Sequence, residues 1–253
     1  MSADTYLQSI LDREAVDTSI FSPVRAVQVT LEPIIKKWAN VSLVNVTPTG
    51  SFAKGTANRS GTDIDLFISL SSQTPETLRE IYNKLFTFMS QSGYTPKRQN
   101  VSINVRVSGF SVDLVPAKRH DNFSDDHSLY RRRADTWTKT NVVTHINHVS
   151  QSHHTNEIRI VKLWRDQNAL DFPSFYLELS VIAALSGKLW GSLSANVWEC
   201  FKYLRDTFAN ARVIDPANTN NIISDDLSAL GKTTIKSAAE KVLKAKTWGE
   251  IVV

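Results

Sequence analysis

Residues 46–70 read V-T-P-T-G-S-F-A-K-G-T-A-N-R-S-G-T-D-I-D-L-F-I-S-L. The stretch contains a Gly-Ser pair, Gly50 and Ser51, and ends in an alternating run with two acidic residues, Asp63 and Asp65. In a β-strand, residues i and i+2 point to the same face, so the two carboxylates would lie side by side while the apolar residues between and after them face a core. Adjacent carboxylates favour a bound cation, and Mg²⁺ is usually held by one or two carboxylates together with substrate phosphates.

The Gly-Ser pair suits the same chemistry. A glycine and a serine at the start of a turn or helix offer backbone N–H groups and a hydroxyl to a phosphate. Taken separately, Gly50-Ser51 also fits an ordinary turn and Asp63-Ile64-Asp65 also fits a solvated strand end. Their joint order favours a cradle for a metal-bound triphosphate.

A third carboxylate follows on a predicted neighbouring strand. Residues 100–107 alternate, Ser108-Gly109 can turn, and Phe110–Pro116 alternates again, which places Asp113 in mid-strand among apolar neighbours. An unpaired carboxylate would be costly to bury there, and a shared metal site removes that cost. We therefore predict that Asp63, Asp65 and Asp113 are the catalytic and metal-binding residues.

This order of Gly-Ser, loop, Asp-hydrophobic-Asp and a third strand carboxylate resembles the polymerase beta-like nucleotidyltransferases. Three later stretches extend the resemblance to the oligoadenylate synthetases and the cGAS-like nucleotidyltransferases, including the bacterial enzymes that make cyclic oligonucleotides. They are I-R-I-V-K-L-W-R-D around Lys162, F-P-S-F-Y-L-E-L-S around Ser174 and Phe175, and D-P-A-N-T-N-N over residues 215–221.

The resemblance implies an α/β (α+β) fold, a polymerase beta-like palm with a mixed sheet plus a helical lobe. It also implies nucleotide-binding roles for Gly50, Ser51, Lys162, Ser174 and Phe175. In that family the matching lysine and serine contact the donor phosphates, and an aromatic residue, usually tyrosine, stacks on the base. From the residues alone, Lys162 also fits a surface lysine whose stem lies along apolar groups, and Phe175 also fits simple core packing.

Hydrophobic periodicity divides the chain into two predicted lobes. Residues 1–141 combine an N-terminal helical brace with a catalytic α/β lobe, because strand-like alternation is concentrated there. From residue 142 onwards the pattern is helical, and we expect residues 142–253 to form a helical lobe that closes the nucleotide cleft.

Composition is typical of a globular enzyme. The chain has 253 residues, 42% hydrophobic content and a single cysteine, Cys200, which excludes an internal disulfide framework. No run approaches 18 apolar residues and the N-terminus lacks a signal sequence, so we predict a cytoplasmic protein with no membrane partner. The net charge is +4. Basic residues that include Arg131, Arg132 and Arg133 favour a polyanion such as RNA, although they also fit a solvated charged face.

The expected activity is template-independent nucleotidyl transfer from nucleoside triphosphates, with ATP as the expected donor and two Mg²⁺ (or Mn²⁺) ions as cofactors. The product would be a short cyclic or linear oligonucleotide, made with release of pyrophosphate as an antiviral-defence signal. The alternative is a terminal transferase that acts on an RNA 3′ end, as CCA-adding enzymes do, so an RNA or oligonucleotide acceptor stays open as a partner. A catalytically silent nucleotide-binding module is a third class, and the three carboxylates argue against it.

Overall fold

The computed structural model describes residues 2–61, 63–188 and 191–253. Contacts divide the described residues into two compact units. The sheet unit comprises residues 17–55 and 61–146, and the helical unit comprises the residues up to 16, the segment 56–60 and the residues from 147 onwards. The chain therefore passes between the two units more than once.

The sheet unit is built on a seven-stranded mixed sheet with the order β1-β2-β5-β4-β3, to which β6 is added beside β5 and β7 beside β6. Strands β2 and β5 are parallel, and every other pair is antiparallel. This confirms the predicted mixed α/β fold. The strands are β1 (Leu43–Pro48), β2 (Asp63–Leu70), β3 (Lys97–Arg98), β4 (Ile103–Val107), β5 (Phe110–Arg119), β6 (His127–Arg131) and β7 (Thr136–Thr140).

Two helices, α2 (Pro23–Ala39) and α4 (Leu78–Gln91), pack their apolar faces into the core of this unit. Helix α4 begins with a capping box in which Thr77 Oγ1 accepts from the backbone N–H of Glu80 and the Glu80 carboxylate accepts from that of Thr77. Its buried face, which includes Ile81 and Leu85, packs into the core of this unit. The helices that begin in the sheet unit are α2 (Pro23–Ala39), α3 (Gly50–Lys54), α4 (Leu78–Gln91) and α5 (Val142–Ser150), and α5 ends in the helical unit.

The helical unit has its own core, in which the large buried side chains include Trp164, Tyr176 and Phe201. Trp164 and Phe201 meet edge to face, with ring centroids 4.9 Å apart. Its other elements are α1 (Ala3–Arg13), α6 (Thr155–Gln167), α7 (Ser174–Leu185), α8 (Leu193–Asp206), a hairpin of β8 (Ile214–Asp215) and β9 (Asn218–Ile222), and α9 (Ala229–Val242). No helix in the described ranges is long and apolar enough to cross a membrane.

The division of the chain differs from the predicted one in three segments. Residues 142–146, which were predicted for the helical lobe, group with the sheet unit. Helix α1 groups with the helical unit, because Leu7, Ile10 and Leu11 are buried in the helical core. The segment 56–60 does the same through contacts described below. Strands β6 and β7 were not predicted from the sequence pattern.

Strand β6 begins with a buried histidine. His127 Nδ1 lies 2.8 Å from the carbonyl oxygen of Asp125, which can only accept, so Nδ1 carries the proton and Nε2 accepts from Ser69 Oγ at 2.8 Å when the ring is neutral. The Phe67 ring packs edge to face on the imidazole at 4.9 Å. Burial lowers the pKa of His127 from its ordinary value.

A lowered pKa makes this histidine a source of acid sensitivity. Below about pH 6.5, the ordinary pKa of histidine, the unfolded chain takes up a proton at His127 that the folded chain resists, so the free energy of unfolding should fall with falling pH. Relative to a His127→Gln variant, the parent should lose up to about 1.4 kcal/mol per pH unit in this range. Urea unfolding of both proteins between pH 7.5 and 5 measures the difference, and parallel pH profiles would contradict it.

Candidate active site

The Asp65 carboxylate lies directly against the backbone of Gly50. Gly50 has φ +60°, and a Cβ placed on it would lie 1.7 Å from Asp65 Oδ2. The backbone N–H of the preceding residue, Thr49, donates to the Asp65 carbonyl at 2.9 Å. Only glycine meets both requirements, a left-handed φ and no side chain, so the Gly-Ser element and the first carboxylate strand are fitted to each other.

Strand register brings the third carboxylate to the same row. Strands β2 and β5 pair with Asp65 opposite Asp113 and Asp63 opposite Ser111. Partners in register and residues two apart on one strand share a face of the sheet, so Asp63, Asp65 and Asp113 lie on one face. Their catalytic and metal-binding roles stay a prediction.

The electrostatics of Asp113 agree with that placement. Asp113 is half-buried, and its pKa is raised above the ordinary range, first by burial and then by the negative charge of Asp63, whereas a hydrogen bond from Asn104 opposes the shift. The repulsion from Asp63 is what a divalent cation between carboxylates would relieve, and carboxylate oxygens are the donors that Mg²⁺ and Mn²⁺ prefer. These donors therefore fit a divalent ion. Among the described residues, no group of three or more His, Cys, Asp or Glu side chains is arranged as a complete set of metal ligands.

Lys162 lies in the helical unit and is buried. Its Nζ is 2.6 Å from Glu178 Oε1 and donates to Thr56 Oγ1 at 2.9 Å, while the Thr56 hydroxyl donates to Glu178 Oε1 at 2.8 Å. The ammonium, the hydroxyl and the carboxylate form a closed triangle. The alternative of a surface lysine is wrong, because only 6% of the Lys162 side chain is exposed. Contact with a donor phosphate stays a prediction.

The other two predicted nucleotide contacts lie at the start of α7, also in the helical unit. Ser174 is exposed at the first helical position, and its Oγ accepts from Arg165 Nη1 at 2.8 Å, which leaves the hydroxyl hydrogen for another acceptor. Phe175 is half-buried and packs against the helical core. Its predicted stacking on a base also stays a prediction.

The D-P-A-N-T-N-N element forms the hairpin of β8 and β9. Asp215 is buried, and it accepts from the backbone N–H of Ala217 at 2.8 Å and from Asn221 Nδ2 at 3.1 Å. Asp215 and Asn218 are partners in the ladder. The spacing of this element therefore has a local structural basis. The Asp215 carboxylate stabilises the hairpin by accepting hydrogen bonds from Ala217 and Asn221.

The chain is similar to known nucleotidyltransferases. Residues 30–141 match the family model described as "Nucleotidyltransferase domain". A cyclic AMP-AMP-AMP synthase from Escherichia coli (strain MS 115-1) is 26% identical over 225 residues, which cover 79% of this chain and 70% of that protein. Residues 30–141 are therefore a nucleotidyltransferase domain.

Solved structures share the fold of this chain. CdnC of E. coli MS115-1 with ATP has a TM-score of 0.76 at 22% identity, covering 97% of this chain and 94% of that one. The CD-NTase CdnG of Bradyrhizobium diazoefficiens in complex with GTP has a TM-score of 0.79 at 13% identity, covering 96% and 90%. At these identities the likeness shows the fold alone.

Three polar residues near Asp113 were missing from the predicted site. Asn104 Nδ2 donates to Asp113 Oδ1 at 2.7 Å, Gln99 Nε2 donates to the same atom at 3.0 Å, and Ser102 Oγ lies 3.3 Å from Oδ2. A signal for two of them was present in the alternation of residues 100–107, where every second residue is polar. That polar row faces the same side as Asp113, because Asn104 is its partner in the β4–β5 ladder.

The fit between Gly50 and Asp65 gives the first prediction for this site. Gly50→Ala should reduce nucleotidyl transfer by about 100-fold, because the new methyl group must displace the Asp65 carboxylate and misplaced reacting groups cost about this much. Pyrophosphate release per folded molecule measures the loss.

Gly93→Ala is the matched control. Gly93 has φ +89° but nothing lies within 4 Å of its would-be Cβ, so the variant carries the backbone strain, about 1 to 2 kcal/mol, without the clash. It should lower the melting temperature and keep the activity. Equal activity in the two variants would show that the approach of Gly50 to Asp65 is without consequence for the reaction.

The triangle around Lys162 gives the second prediction for this site. Lys162→Met should destabilise the chain by about 3 to 5 kcal/mol, because it leaves the Glu178 carboxylate buried without its cation, whereas Lys162→Met/Glu178→Leu should recover most of that loss. Urea unfolding measures both variants. Lys188→Met is the control, because its side chain and that of its partner Glu199 are 45% and 33% exposed and surface pairs contribute about 0 to 1 kcal/mol.

The folded double variant then separates stability from ligand binding. If Lys162 contacts a donor phosphate, the double variant should bind nucleoside triphosphate more weakly than the parent in calorimetry although its stability is restored. Unchanged affinity would restrict Lys162 to its structural triangle, and a single variant as stable as the parent would contradict the triangle itself.

Proposed function

We propose that this nucleotidyltransferase joins nucleoside triphosphates, with ATP as the donor, into a short cyclic oligonucleotide and releases pyrophosphate. The observation that carries the proposal is the row of Asp63, Asp65 and Asp113 that the β2–β5 register creates beside Gly50. The E. coli relative, named as a cyclic AMP-AMP-AMP synthase, supports a cyclic product built from adenylate. A role of that product as an antiviral-defence signal is part of the proposal.

Asp63, Asp65 and Asp113 would hold the divalent metal, which we propose to be two Mg²⁺ or Mn²⁺ ions. When bound, such ions neutralise charge on the triphosphate and make the attacking hydroxyl more acidic. The chain's own contribution is positioning. The absence of a side chain at Gly50 leaves room at Asp65, and the Ser51 hydroxyl and neighbouring N–H groups are proposed to contact the phosphates.

Asp113 is the residue proposed to accept the proton of the attacking hydroxyl. Burial and the charge of Asp63 raise its pKa, which makes the carboxylate a stronger base than an exposed aspartate. In the helical unit, the exposed Ser174 is proposed to contact donor phosphates and the half-buried Phe175 to stack on the base. Stacking tolerates any base, so it gives affinity without choosing adenine.

One experiment tests the reaction and its product together. Labelled nucleoside triphosphates are incubated with the protein and Mg²⁺ or Mn²⁺, with and without tRNA, and the products are separated by size. A cyclic product should resist phosphatase because it has no terminal phosphate, whereas a linear product keeps its triphosphate end. Label that appears only on tRNA would replace this proposal with terminal transfer to RNA.

Substitution of Asp63 and Asp65, the paired carboxylates of β2, tests whether they belong to the active site. Asp63→Asn and Asp65→Asn should each remove activity, since the charge is lost with little change in volume, and the fold should persist by circular dichroism. Asp125→Asn is the control, because Asp125 is an exposed residue of the same unit that pairs only loosely with Arg119, at 3.5 Å. Near-normal turnover in either paired-carboxylate variant would overturn the proposed site.

A further inference from the structure

The two oxygens of Asp113 have unequal surroundings. Oδ1 accepts two short hydrogen bonds, from Asn104 at 2.7 Å and from Gln99 at 3.0 Å. Oδ2 has only Ser102 Oγ, at 3.3 Å. Ser102 also lies 3.1 Å from Gln99 Oε1, and a hydroxyl has a single hydrogen, so the closer acceptor competes with Oδ2 for it. Oδ1 is therefore the anchored oxygen, and Oδ2 keeps more of its lone-pair capacity.

The donors are themselves fixed. Asn104 lies opposite Asp113 in the β4–β5 ladder, and both amide hydrogens are used, one on Asp113 and one on Ser111 Oγ at 2.9 Å. The orientation of the amide is therefore determined, because a flipped amide would place its oxygen against the carboxylate.

Gln99 is fixed through its backbone. Its carbonyl accepts from the hydroxyl of the fully buried Tyr82 at 2.8 Å and from Arg132 Nε at 3.0 Å, and its N–H donates to the Ser102 carbonyl at 3.0 Å. Helix α4 and the turn between β6 and β7 thus hold the residue that reaches Asp113. Because the Gln99 backbone is already ordered, the contact with Asp113 costs only the conformational entropy of the side chain.

We propose that Asn104 and Gln99 are positioning residues for nucleotidyl transfer: they clamp Oδ1 of Asp113 and so present Oδ2 to the reaction. This inference rests on the proposed function. Each amide donates an N–H to Asp113 Oδ1. Their effect on the reaction passes through Asp113.

Substitutions of similar size that remove only the donor test the clamp. Asn104→Leu and Gln99→Met should each lower kcat at least tenfold and change KM for the nucleoside triphosphate less than twofold, because the misoriented carboxylate affects the reaction and not the hold on substrate. Their melting temperatures should stay within a few degrees of the parent. Asn83→Leu is the matched control, since Asn83 is an exposed amide that contacts Arg98 and not Asp113, and it should behave as the parent.

Binding of Mn²⁺ alone, followed by electron paramagnetic resonance, gives a readout that does not depend on turnover. Asp113→Asn should weaken Mn²⁺ binding, and Asn104→Leu and Gln99→Met should weaken it by at least threefold. Folded clamp variants with parental kcat and parental Mn²⁺ affinity would overturn the inference. Variants whose loss of kcat and of Mn²⁺ affinity is proportional to their loss of melting temperature would overturn it too. If the parent binds Mn²⁺ but transfers no nucleotide, the proposed function fails and the Mn²⁺ measurements alone decide the clamp.

Discussion

Like charges on adjacent parallel strands are the constraint on which the rest of the sheet unit depends. The β2–β5 register sets Asp65 opposite Asp113 and keeps Asp63 near enough to raise the Asp113 pKa. A fold built for stability alone would avoid carboxylates in such a row, because each one opposes ionisation of the next. The surrounding structure compensates for this repulsion at several points.

Compensation is built from neutral donors. Asp113 is surrounded by the amides of Asn104 and Gln99 and by the Ser102 hydroxyl, none of which carries a charge. A lysine or arginine at one of these positions would form an ion pair with the carboxylate and compete with any divalent cation for it. Neutral donors stabilise the ionised form while they leave its charge available, which suits the role proposed for Asp113.

The helical unit uses charge in the opposite way. Lys162 and Glu178 form a buried ion pair in a closed triangle with Thr56, so the two charges compensate each other inside that unit. Thr56 belongs to the segment 56–60, which follows α3 and precedes β2 in the chain, and its anchoring explains why this short segment groups with the helices. Asn58 strengthens the attachment, because its side chain donates to the Arg159 carbonyl at 2.9 Å.

The sequence by itself determined the local features of this protein. The period of two placed Asp63 and Asp65 on one strand face and Asp113 in mid-strand. Hydrophobic periodicity separated a strand-rich N-terminal part from a helical C-terminal part. Each of these features depends on residues a few positions apart. Only the tertiary structure decided which strands pair and in which register, and therefore that Asn104 lies against Asp113. It also decided that Lys162 is buried with Glu178 and Thr56. Lys162 and Thr56 are 106 positions apart in the sequence. Such pairings depend on how distant segments pack together, and periodicity within one segment carries no information about its partner.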